Sequence, residues 1–143
     1  MAVVGFNFDK ILVEKKKVLK GDIKVKNNLD IKNIKEESMD LGDSKQKLIK
    51  FEFKFTVEYE PSAASIEILG HILYTESDDK IKKILDDWKK KKDVDMALKT
   101  RLVNMALTRC NIKALALTQD VNLPPHIRLP MVSPKVDKTS YIG

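Results

Sequence analysis

The sequence predicts an α+β fold in which extended segments come first and helices last, and three observations predict it. Between Leu48 and Glu60, the apolar Ile49, Phe51, Phe53, Phe55, Val57 and Tyr59 alternate with Lys50, Glu52, Lys54, Thr56, Glu58 and Glu60. A period of two puts one face of a long strand in a core and the other in water. From Ser77 onward the period lengthens, and Ile81, Ile84, Leu85 and Trp88 recur at the three- and four-residue spacing of an amphipathic helix. The third observation is size: 143 residues are enough for one domain to bury a core without staples, and a single cysteine, Cys110, excludes an internal disulfide.

The first strand spans roughly Val4 to Val13. Val4, Phe6 and Phe8 alternate, and the phase then shifts to Ile11 and Val13, as it does at a β-bulge. Lys15-Lys16-Lys17 reads as a solvated strand end. A second strand runs from Asp22 to Asn27, with Ile23 and Val25 opposite Lys24 and Lys26; Asn27-Asn28 interrupts it, and Leu29 to Ile34 resumes it in a changed register. Glu36 to Ser44, polar and containing Gly42, is expected to be a loop. After the long strand, Pro61-Ser62-Ala63 marks a turn, and Ile66, Ile68, Ile72 and Tyr74 share one face of the next strand, so the two form an antiparallel hairpin. Gly70 within that face marks either a bulge or the close approach of a bulky neighbour.

Ser77 is placed as the N-cap of the first helix, Asp78 and Asp79 favour its positive end, and Lys89 to Lys92 its negative end. Asp93 or Asp95 caps a second helix over about 96–118. There Leu98, Leu102, Met105, Ala106, Cys110, Ile112, Ala114, Leu115 and Leu117 occupy more than one stripe. Such a helix needs two covers, its own sheet and something else, for which another subunit is the expectation. Leu98, Leu102, Met105 and Leu115 are accordingly placed at a homodimer or homotetramer interface. The segment 122–132 is extended by Pro124, Pro125 and Pro130 and is expected to lie on the protein through Leu123, Ile127, Leu129 and Met131. Residues 1–132 thus make a single domain, with 133–143 a flexible C-terminal tail.

Motifs for catalysis do not assemble. His71 and His126 are far apart, Cys110 falls within a helix as a small hydrophobe, and the five glycines are isolated, so no zinc set, triad or phosphate loop can be drawn. An enzyme, a metal and a cofactor are not expected. The first residues lack the basic and apolar regions of a signal peptide, and no apolar run approaches a bilayer span, so a cytoplasmic protein without membrane insertion is expected. Net charge is +6, but only Arg101, Arg109 and Arg128 among the 27 basic residues are arginine, and the lysines are scattered beside acids. Nucleic acid is therefore not the expected partner, and the Lys-rich, acid-rich balance fits a thermophilic or archaeal-type proteome.

The order of a long-strand meander, a short helix, a long helix and a Pro-rich tail resembles the SecB family of export chaperones and its archaeal-type and toxin-antitoxin relatives. Phe6-Asn7-Phe8-Asp9-Lys10-Ile11 is similar to that family's opening strand, and Pro125-His126-Ile127-Arg128-Leu129-Pro130-Met131-Val132 to its segment after the long helix. The resemblance implies a four-stranded antiparallel sheet packed by a short and a long C-terminal helix, paired into dimers and tetramers. It also implies ATP-independent holding of unfolded or nascent polypeptides in apolar grooves, in the service of export, a toxin-antitoxin system or general folding. Phe6, Phe8, Trp88, Ile127, Leu129 and Met131 are the candidates for the client-binding lining, against the plainer reading that they are core or oligomer contacts. Bacterial export members are acidic, whereas this chain is basic, which weakens the expectation that it meets a translocation motor. A non-catalytic scaffold or adaptor of the same fold is the alternative, and a basic nucleic-acid-binding module comes third.

Overall fold

In a computed structural model, which describes residues 2–134, the chain forms β1 (Ala2–Lys15), β2 (Lys24–Leu41), β3 (Ser44–Glu60), β4 (Ala64–Thr75), α1 (Asp78–Lys91) and α2 (Met96–Asp120). The expected tail lies almost wholly outside the described residues. The strands build one antiparallel sheet in the order β1-β4-β3-β2, so the first strand returns to pair with the last and leaves β1 and β2 as the two edges. Both helices lie on one face. Beneath them Phe51, Phe55, Val57 and Tyr59 of β3 and Ile66, Ile68, Ile72 and Tyr74 of β4 are buried, as their alternation requires.

The phase shift between Phe8 and Ile11 is a bulge at Asp9, and a second interrupts the ladder at Val4, between Val3 and Gly5. Gly70 serves close approach rather than a bulge: a Cβ there would stand 2.6 Å from the Phe53 ring and 2.5 Å from the Asn7 carbonyl oxygen.

Two expectations are corrected. Asn27-Asn28 does not break the second strand, which is continuous with a bulge only at Lys32, between Ile31 and Asn33. Nor is Glu36–Ser44 a loop: β2 pairs with β3 as far as Leu41↔Ser44, and the turn is Gly42-Asp43, with Gly42 at φ +66°. The ladder between β3 and β4 ends at Ile49↔Tyr74, so the hairpin runs on past the sheet as a two-stranded ribbon. Water reaches both faces of most of that ribbon, so no alternation is required of it, and the sequence shows none.

Asp95 caps α2, its carboxylate accepting from the Leu98 amide at 3.3 Å; Ser77 takes the N-cap position of α1 without a side-chain bond. Leu102, Ala106, Cys110, Ala114, Leu117 and Thr118 turn toward the sheet, while Arg101, Asn104 and Thr108 are exposed. No described helix is long and apolar enough to cross a membrane.

Candidate functional site

Because α2 does not cover the whole sheet, a furrow is left between its flank and the β2 edge. Leu29 and Ile31 of β2 line one side, Phe51, Phe53 and Phe55 of β3 the floor, and Val103 and Leu107 the helix wall. The residues alternate on the strands and recur at four-residue spacing on the helix, which is why apolar side chains meet along both walls. The furrow is almost filled beneath Leu102 and Ala106 and opens toward Asn27, Asn28 and Asn111 to about 280 Å³, where Ile127 closes it.

Ile127 is brought there by a strap of chain after α2, tied down residue by residue. The Leu123 amide donates to the Thr118 carbonyl at 2.8 Å, the Tyr59 hydroxyl to the Pro124 carbonyl, and Asn27 Nδ2 to the His126 carbonyl at 3.2 Å. His126 is 4% exposed. Its ring stands edge-on to Phe55, with centroids 6.2 Å apart, and Asn111 Oδ1 accepts from Nε2 at 2.8 Å. Nδ1 is buried without a partner, and burial holds the imidazole below its usual pKa range. Sequence reasoning missed this residue. Pro125 and Ile127 flank it, so no local pattern marks a buried ring whose partners lie on three other elements.

The proposed lining residues do not form one site. Ile127 lies in the furrow, Leu129 and Met131 do not line it and are 47% and 83% exposed, and Phe6 and Phe8 sit across the sheet on the opposite edge. Phe6 packs on Phe53 at 5.3 Å and carries the Arg109 guanidinium 4.9 Å above its ring. Trp88, half-buried on α1, has Lys92 Nζ 5.5 Å from its ring, and its indole N–H is buried without an acceptor. Among the residues placed at a subunit interface, Leu98, Met105 and Leu115 are half-buried in the single chain, but Leu102 is 1% exposed and belongs to the chain's own core. It has no surface to offer a second copy.

A second concavity, about 370 Å³, opens between α1 and the start of α2 over Tyr74, Ile84, Ala97 and Leu98. Glu76 at its rim is spoken for: it accepts from the Tyr74 hydroxyl and the Ser77 amide, each at 3.2 Å, with Lys80 at 3.9 Å. On the far face of the sheet the charges neutralise one another in ladders. Glu67 joins Lys10 at 3.1 Å and Lys54 at 3.2 Å, and Glu52 joins Lys35 at 3.3 Å. His71 lies on this face with Nδ1 2.8 Å from Asp9 of the bulge and Nε2 3.3 Å from Asn7. Cys110, fully enclosed under α2, has its thiol pKa pushed up to about 12 by burial. Among the described residues no three His, Cys, Asp or Glu side chains gather as a metal site.

No protein-family model and no characterised protein matches the sequence. The fold is similar to that of the Mycobacterium tuberculosis Rv1957 SecB-like chaperone, solved in complex with a ChAD peptide from the Rv1956 HigA1 antitoxin. The two share 8% sequence identity at a TM-score of 0.51, over 94% of this chain and 92% of that one. The sheet order, the two helices and the returning first strand together make a SecB-like fold.

Proposed function

We propose that the chain is a SecB-like, ATP-independent holdase that retains unfolded or nascent polypeptides in the furrow between α2 and β2. The observation that carries this reading is the furrow itself: along an edge strand, the partly exposed Leu29, Ile31, Val103 and Leu107 form apolar walls over a buried phenylalanine floor, and the furrow opens at Asn27, Asn28 and Asn111. Side chains of many shapes fit a surface made of aliphatic and aromatic groups. The uninterrupted edge from Lys24 to Ile31 offers backbone groups that any extended segment can pair with. Selectivity for extended apolar chain without selectivity for sequence follows. Burying three large apolar side chains contributes roughly 5–9 kcal/mol before the cost of immobilising the client, which leaves binding weak enough to reverse without nucleotide.

In this reading the chain is cytoplasmic, neither an enzyme nor a nucleic-acid binder, and works as a homodimer or homotetramer; Leu29, Ile31, Val103 and Leu107 are the client contacts, Leu129 and Met131 extend the apolar surface, and Ile127 covers one end of the furrow. Phe6, Phe8 and Trp88 then serve packing or assembly. The lysines of the far face are paired with acids, which argues against a phosphate-binding surface.

The test is aggregation of a chemically unfolded client without nucleotide. The wild type should suppress it at near-stoichiometric ratios, and Val103→Asp or Leu107→Asp should lose protection while keeping the fold. Absence of protection across several clients and salt concentrations would sink the reading in favour of a scaffold or adaptor of the same fold.

A further inference from the structure

The strap that closes the furrow is held by a residue that must stay uncharged to remain there. His126 Nε2 is engaged by Asn111, its carbonyl by Asn27 and its ring face by Phe55, while Nδ1 points at nothing that could accept a hydrogen bond. A proton added at Nδ1 places an N–H and a full charge where neither is satisfied. Once the strap lifts, both nitrogens reach water and the charged ring costs nothing.

We propose that residues 123–127 are an acid-released cover over one end of the client furrow, with His126 as its latch. This rests on the holding function argued above and adds its regulation. Lifting the strap withdraws Ile127 from the furrow and uncovers Phe55 and Tyr59, both fully buried when it is docked, so the apolar channel lengthens toward the β3–β4 turn.

The surroundings leave the response to His126. Phe55 from β3, Asn111 from α2 and Asn27 from β2 are its neighbours, and none titrates. The Tyr59 hydroxyl beneath Pro124 has its pKa pushed up to about 12 by burial and stays protonated throughout. Lys26, ion-paired with Glu60 at 2.9 Å, and its cross-strand neighbour Glu58 lie on the other face of the sheet, Lys15 Nζ donates to the Val121 carbonyl at 3.2 Å, Lys113 of α2 is half-buried, and Arg128 beside the strap is exposed. None of these adds to the depression of the imidazole pKa, whose sole cause is burial. Because the docked ring titrates below the free one, the released strap binds more protons. Docking therefore weakens as pH falls below about 6.5 and continues to weaken down to the depressed docked value.

The experiment uses the full chain with a mobility probe on Pro125→Cys, an exposed position within the strap, while Cys110 is enclosed. Between about pH 7.5 and 5 the probe should become mobile, and a fluorescent unfolded peptide should bind severalfold more tightly over the same range. His126→Phe, which keeps the ring without the titration, should remain docked and bind at the neutral-pH level throughout. Should that variant fold poorly, Asn27→Ala, which loosens the strap from the other side, should be mobile and tight-binding already at neutral pH. A probe insensitive to pH, or one released identically in wild type and His126→Phe, overturns the latch. If the probe responds but no peptide binds at any pH, the holding function fails while the latch stands.

Discussion

Single side chains show where sequence reading reaches and where it stops. Gly70 is legible because a glycine inside a strand of isoleucines has few reasons to be there; a Cβ at that position would enter the space that the Phe53 ring and the Asn7 carbonyl occupy. Gly70→Ala should cost about 1–3 kcal/mol, measured by urea unfolding, because backbone and ring cannot both give way. Leu102 is legible as apolar but not as core, since a helix wide in hydrophobic residues does not declare which of them face its own sheet. Leu102→Asp should unfold the subunit, whereas Leu115→Asp on the half-buried flank should leave a folded chain, as far-UV circular dichroism would report. Cys110→Ser should destabilise by about 1–3 kcal/mol through a buried hydroxyl without a partner. His126 lay beyond reach because its burial is made by contacts from other elements.

Among the elements, β3, β4 and both helices follow from period and capping residues, because each buries one face and their sequences must show it. The distal half of β2 could not be read this way. Its backbone hydrogen bonds to β3 make it a strand, and its largely wet faces place no demand on residue type. Met39→Lys and Leu41→Lys in the ribbon should therefore shift stability by less than about 0.5 kcal/mol, and a larger loss on urea unfolding would mean that the ribbon is covered by something. The charge ladder of the far face behaves differently with pH. Hydrogen bonds from Lys10 and then Lys54 hold the Glu67 carboxyl below its ordinary range. Its small contribution is present above about pH 4.5 and lost as pH falls through the lowered value, well below the window in which His126 acts. Glu67→Gln should slightly lower stability above about pH 4.5, flatten its fall at acid pH and leave the strap unchanged, as thermal unfolding at a series of pH values would show.

For the whole molecule, the α+β class and the order of elements were readable, whereas the furrow was not. It arises from where α2 happens to lie relative to the β2 edge, a tertiary offset that no local pattern encodes. Leu98, Met105 and Leu115 are only partly covered in the isolated subunit, so assembly through α2 should appear as dimer or tetramer in sedimentation and be lost in Leu115→Asp. The strand order has a kinetic consequence. The β2–β3 hairpin closes over two turn residues, Gly42 and Asp43, and the loop closure is cheap; β1 pairs with β4, joining Phe8 to Gly70 across nearly half the chain. Pulsed hydrogen exchange during refolding should therefore protect β3 amides before those of β1. During synthesis the disparity sharpens, since β1 leaves the ribosome first and its partner only some sixty residues later. Each new copy must pass through a stage in which Phe6 and Phe8 stand on an unpaired strand, an extended apolar segment awaiting its own sheet.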